Sequence, residues 1–190
     1  KRTTNWPTEI KDFKPAALES IDIADRLTLN ILEKFDNILK SGTIIVDAHK
    51  ENYSTTRFIH YPAYEGDIEP NQLRIGEHSD YGTITLLWQI NDVPGLEVQD
   101  LDGQWHSVPY EKDGVVVNIG DLMQRWTNDY FVSTKHRVVN SHIHLPRYSM
   151  PHFADPAPDT IICNITDQPT KYMPCRSHEY LKFRLEQTYT

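Results

Sequence analysis

The sequence predicts a mainly β domain, a sandwich or barrel of short strands, with one long helix near its start and a shorter one at its end. Three observations carry this. Over residues 15–39 apolar side chains return at helical spacing. From residue 44 to residue 153 the pattern breaks into short β-prone runs divided by turn residues. The chain of 190 residues is 11% aromatic, with four Trp and ten Tyr, which excludes a disordered polymer and suits one packed core rather than two.

Pro15 belongs in the first turn of the leading helix, where its missing N–H costs nothing. Leu18, Ile21, Ala24, Leu27, Ile31, Phe35 and Ile38 form its expected apolar face, and Gly42 its end. Strands are expected at 44–46, 55–61, 83–89, 96–99, 105–108, 115–119, 135–139 and 147–153. Pro94-Gly95, Asp102-Gly103 and Asp113-Gly114 supply turns between them. Residues 177–189 return to helical spacing, with Tyr180, Leu181, Leu185 and Tyr189 as the apolar face. No repeat, low-complexity tract or linker divides the chain, so residues 1–190 read as a single domain.

The formal net charge of −8 offers no basic footprint for sequence-blind nucleic-acid binding, and a small-molecule partner is expected instead. Cys163 and Cys175 form no Cys-x-x-Cys pair, too few for a disulfide framework or a cysteine zinc site, and suit a reducing compartment. No run approaches the ~18 apolar residues of a membrane span, and no signal-peptide pattern opens the chain. A cytoplasmic protein away from membranes is the expectation; its oligomeric state is not written in the sequence. The chain opens on Lys1 within a polar segment, as a piece of a longer protein would.

The chemistry is concentrated in a few residues. His78-Ser79-Asp80 places an imidazole and a carboxylate two apart just before the strong strand at 83–89, so on extended backbone both point one way. His136 opens a later β run. Two imidazoles and one carboxylate make a facial triad that leaves positions open on a non-haem iron(II), and the same donors suit zinc. Arg147-Tyr148-Ser149 is a second pair facing one way, able to clamp a carboxylate through a guanidinium fork and a hydroxyl. Asn118 and Asp121 are candidates to orient the ligand loops, with a plain turn role equally open for Asp121. Phe153 and Trp126 are open between pocket lining and core. His142-x-His144 is a second histidine pair that lacks an evident third ligand.

An ordered set of segments carries a family resemblance over most of the chain. These are Thr56 to Pro62, His78-Ser79-Asp80-Tyr81-Gly82-Thr83, Val93-Pro94-Gly95-Leu96-Glu97-Val98, Gly103-Gln104-Trp105, Val117-Asn118-Ile119-Gly120-Asp121, Lys135-His136-Arg137-Val138-Val139-Asn140, Arg147-Tyr148-Ser149 and 179–185. Together they resemble the isopenicillin N synthase-like group of 2-oxoglutarate- and iron(II)-dependent oxygenases. The resemblance implies a double-stranded β-helix, or jelly roll, with a supporting N-terminal helix and a C-terminal helix. It implies iron ligands at His78, Asp80 and His136, a clamp for the far carboxylate of 2-oxoglutarate at Arg147 and Ser149 with Tyr61 beside it, and dioxygen as co-reactant.

The chain departs from the group in two ways. Ile59 stands where members often carry Asn, and the region that members carry before the helix is missing from these 190 residues. Three other readings stay open at this point. One is an iron oxidase of the isopenicillin N synthase type, which holds a substrate carboxylate instead of 2-oxoglutarate. The others are a non-catalytic cupin-like binding module and a zinc hydrolase.

Overall fold

The computed structural model describes residues 5–188. The leading helix, α1, runs Phe13–Leu39, and Lys40 closes it in the left-handed conformation. Its buried seam is Ala17, Ala24, Thr28, Leu32 and Asp36, with Leu27, Ile31 and Phe35 packed alongside. Leu18 and Ile38, expected in the seam, are 47% and 56% exposed. The seam is rotated because one of its members is a carboxylate with a structural task. Asp36 accepts hydrogen bonds from the backbone N–H groups of Ile45 (3.1 Å) and Val46 (2.9 Å).

Those two N–H groups open α2, Ile44–His49. The β-prone residues at 44–46 are therefore helical, against expectation. A carboxylate supplied from α1 satisfies the orphan donors of the first turn, and that outweighs local β propensity.

The expected run at 55–61 is split into β1 (Thr55–Thr56) and β2 (Ile59–Tyr61), both pairing with the long strand β9 (Arg147–Ala154). β9 also pairs with β4 (Ile84–Gln89), which pairs with β7 (Val116–Ile119), completing a five-stranded antiparallel sheet. The second sheet has the order β3 (Ile75–His78), β8 (His136–Val138), β5 (Leu96–Gln99) and β6 (Trp105–Ser107), again antiparallel. β10 (Ile161–Ile162) and β11 (Cys175–Arg176) make a small ribbon that leads into α4, Ser177–Thr188. Between β7 and β8 lies a six-residue helix, α3, Asp121–Trp126. The two main sheets with flanking helices form the expected jelly roll.

One face of the five-stranded sheet belongs to the core. Ile84, Leu86 and Ala154 pack with Leu32 of α1, Ile45 of α2, Leu122, Met123 and Trp126 of α3, and Ile162. Trp126 is thus core, not pocket lining. On the same side the buried His152 imidazole lies against Thr56 Oγ1 (2.8 Å) and faces Asp25 of α1. In α4 the buried side carries Tyr180 and Leu181, whereas Leu185 is exposed and Tyr189 lies outside the described residues. Cys163 and Cys175 are both free thiols. Among the described residues no helix is long and apolar enough to cross a membrane.

Candidate functional site

The loop from β3 to β4 passes from one sheet to the other, and it carries Asp80. His78 ends β3 and His136 begins β8, and antiparallel pairing sets the two opposite each other. Their ring centroids are 4.2 Å apart. One ligand atom from each of His78, Asp80 and His136 lies within 4.8 Å of the others. The three residues singled out in the sequence therefore meet at one point.

Hydrogen bonds orient each of them. His78 Nδ1 lies 2.8 Å from the Gly76 carbonyl, and His136 Nδ1 lies 3.0 Å from the Thr134 carbonyl. A carbonyl only accepts, so each neutral ring carries its proton on Nδ1 and keeps the Nε2 lone pair free. Burial, and then the neighbouring His136, hold the His78 imidazole below its ordinary range. That favours the neutral form a metal requires. The Asp80 carboxylate is divided between two tasks. Oδ2 accepts from Thr85 Oγ1 (2.7 Å) and Asn118 Nδ2 (2.9 Å), while Oδ1 faces His136 Nε2 at 3.7 Å.

The backbone beneath this loop is crowded. A Cβ at Gly120 would overlap the Gly82 carbonyl oxygen, so only glycine lets α3 begin here. The first turn of α3 then grips the loop: Asp121 N–H donates to the Asp80 carbonyl (2.8 Å) and Leu122 N–H to that of Gly82 (3.0 Å).

The second expected cluster lies on the same side. Cross-strand partners and alternate residues share a sheet face. Thr85 pairs with Phe153, Gln89 with Ser149, Ile59 with Ser149 and Tyr61 with Arg147. Arg147, Ser149, Phe153, Tyr61, Gln89 and Thr85 thus occupy one face, the face from which Thr85 reaches Asp80. Arg147 is 1% exposed, yet no carboxylate pairs with it among the described residues. Its Nη2 donates a long bond to Gln89 Oε1 (3.4 Å), its Nε has no partner, and its guanidinium lies 5.2 Å from the Tyr61 ring centre. Arg74 approaches that ring from 5.9 Å, so two cations flank Tyr61. Burial lowers the Arg147 pKa, the mark of a cation held without an anion.

The other candidates separate. Asn118 is part of the cluster through Asp80. Asp121 anchors the loops through its backbone and side chain alike. The His142 and His144 rings are 6.3 Å apart and join no cluster of three possible ligands among the described residues. Thr85 and Gln89 were not anticipated; their signal was a polar residue inside the otherwise apolar run Ile84-Thr85-Leu86-Leu87-Trp88-Gln89.

The chain that brings these residues together is also similar to known proteins. Residues 50–156 match the model of the 2OG-Fe(II) oxygenase superfamily. The chain belongs to that superfamily. This superfamily member is 37% identical over 150 residues to the 2-oxoglutarate-dependent dioxygenase htyE of Aspergillus rugulosus, covering 73% of this chain and 45% of the relative. It is also 37% identical over 171 residues to the 2-oxoglutarate-Fe(II) type oxidoreductase hxnY of Emericella nidulans, covering 86% of this chain and 46% of that protein. The oxygenase fold is similar to the crystal structure of a full-length Neurospora crassa protein in complex with alpha-KG and thymine. The TM-score is 0.84 at 33% identity, covering 97% of this chain and 60% of that one. The chain thus spans about half the length of the curated relatives it matches.

Proposed function

We propose that this chain is the catalytic region of an iron(II)- and 2-oxoglutarate-dependent oxygenase that oxidises a small molecule. His78, Asp80 and His136 are the iron ligands, and Arg147, Ser149 and Tyr61 receive the far carboxylate of 2-oxoglutarate. The observation that carries the reading is the buried Arg147, without a carboxylate partner among the described residues, on the sheet face that also holds Thr85 against Asp80. Burying a guanidinium is costly unless a carboxylate completes it. A binding module or a zinc hydrolase leaves that cation unexplained.

The donor set fits iron(II): two neutral imidazole Nε2 atoms and one carboxylate oxygen, with Asp80 Oδ2 already committed to Thr85 and Asn118. When bound, iron and 2-oxoglutarate supply the oxidising chemistry, consuming dioxygen and releasing succinate and carbon dioxide. The protein's part is geometric and electrostatic. The Gly76 and Thr134 carbonyls fix the imidazole tautomers, and the fork of Arg147 sets where a dicarboxylate lies along β9. Phe153 lies on the same face, and in this reading it is an apolar wall toward the substrate. The substrate is read as a small molecule, in line with the N. crassa relative seen with thymine or with 5-formyluracil. The free cysteines suit a reducing compartment, and we place the protein in the cytoplasm.

Anaerobic titration with iron(II) and 2-oxoglutarate tests the proposal. A visible charge-transfer band is expected in the wild type and lost in Arg147→Ala and in His136→Ala. Iron binding without that band would overturn the 2-oxoglutarate assignment in favour of an oxidase whose substrate carboxylate occupies the arginine. No iron binding would overturn the triad itself.

A further inference from the structure

The C-terminal helix touches the metal-binding loop at a residue that the reading above leaves without a role. Arg184 of α4 reaches two segments at once. Its Nη1 donates to Asp121 Oδ2, and its Nη2 to Ser79 Oγ (3.4 Å), the residue between His78 and Asp80. The same guanidinium lies 4.6 Å from the ring centre of Tyr81, whose hydroxyl meets Thr188 Oγ1 in the last turn of α4. Tyr180, one turn earlier, adds its hydroxyl to Asp121 Oδ2 (3.3 Å).

Asp121 is the hub of this arrangement. Its other oxygen, Oδ1, accepts from Ser133 Oγ (2.7 Å), in the connection that leads to His136. The Asp121 backbone N–H holds the Asp80 carbonyl (2.8 Å). One carboxylate, 9% exposed, thus joins the segment before His136, the loop bearing His78 and Asp80, and the guanidinium of α4.

We propose that Arg184 is a positioning residue for the metal centre, and that α4 clamps the two ligand-bearing segments at a fixed spacing through Asp121 and Ser79. The proposal rests on His78, Asp80 and His136 being the metal ligands. A triad binds well only when its members are held within a fraction of an ångström. His78 is a strand terminus and Asp80 lies in a loop, so neither position is secured by sheet pairing on both sides. A partly desolvated fork that spans both segments provides that constraint.

Cobalt(II) is a suitable probe, because it tolerates air and its visible bands report coordination geometry. The wild type is expected to bind cobalt(II), and Arg184→Ala to bind it about tenfold more weakly or worse, with altered bands. Arg184→Lys keeps a charge toward Asp121 without the fork and should recover part of the affinity. A purely structural role would lower the metal-free melting temperature and leave the affinity and bands of the folded protein unchanged, and that result overturns the clamp. Should Arg184→Ala not fold, Ser79→Ala decides: weaker cobalt(II) binding supports the clamp, and wild-type binding overturns it. A wild type that takes up no cobalt(II) removes the triad reading and the clamp together. Wild-type binding matched by Arg184→Ala removes the clamp alone.

Discussion

Asn118 Nδ2 donates to Asp80 Oδ2 at 2.9 Å, on the oxygen that does not face His136. With the hydroxyl of Thr85 on the same oxygen, the carboxylate is held so that Oδ1 alone turns toward the imidazoles. A ligand carboxylate restrained in this way loses little freedom on binding a cation. Asn118→Ala should therefore keep the fold and weaken iron(II) binding by roughly 10–100-fold. An anaerobic titration measures this. Affinity equal to wild type would mean that Thr85 suffices by itself.

Arg147 makes an opposite pair of predictions for stability and binding. Among the described residues its buried guanidinium has no carboxylate partner, so Arg147→Met, similar in length and apolar, should raise the stability of the cosubstrate-free protein by about 1–3 kcal/mol. The same change should abolish 2-oxoglutarate binding. Urea denaturation and calorimetric titration check the two halves. A destabilised Arg147→Met would show that the bond to Gln89 and the contact with Tyr61 already compensate the buried charge.

Asp155, just beyond β9, gives the metal-free protein a dependence on pH. Burial, and secondarily the charge of Asp80, push its carboxyl up to about 7 from 3.8. A group whose folded pKa is raised contributes stability that is complete below its unfolded value and is lost as pH rises through the folded one. With a chelator present, Asp155→Asn should match wild type near pH 4 and exceed it at pH 8. Urea midpoints at the two pH values decide the matter; a difference that does not change with pH would place the carboxyl in water.

His49 acts with the other sign. Its imidazole is buried between the Ile45 carbonyl (2.7 Å) and Thr83 Oγ1 (2.8 Å), and burial lowers its pKa to about 4 from 6.5. Its contribution is present above the unfolded value and is lost as pH falls through the folded one, a change of roughly 3 kcal/mol. His49→Gln should flatten the acid limb of the stability profile between these values. An unchanged acid limb would assign it to other groups.

Local pattern was enough for much of the fold and for naming the candidate site residues. Strand 96–99 lies where its alternation places it, and so does the body of α1, because side-chain period and backbone geometry are coupled residue by residue. The candidate residues stood out because spacing within His78-Ser79-Asp80 and Arg147-Tyr148-Ser149 is a local property. β3, with Gly76 and Glu77 in its middle, and the six-residue α3 were not anticipated. Such short elements have little intrinsic preference and exist through what they pair with.

Tertiary structure decided the rest. The residues at 44–46 are β-prone, and only the approach of Asp36, nine residues earlier in chain order, makes them helical. The sequence names Leu18 and Ile38 as core, but packing exposes them, because the seam of α1 turns to bring that same Asp36 inward. The functional face is likewise a product of register. Thr85, Gln89, Tyr61 and Arg147 come together only because three strands pair at particular residues, and register is set by the whole sheet rather than by any one strand. Residue type and spacing alone named the side chains able to bind a metal and a carboxylate. The folded chain determined that they lie on one side of the sheet, since hydrogen bonds between distant segments, not local propensity, set the register.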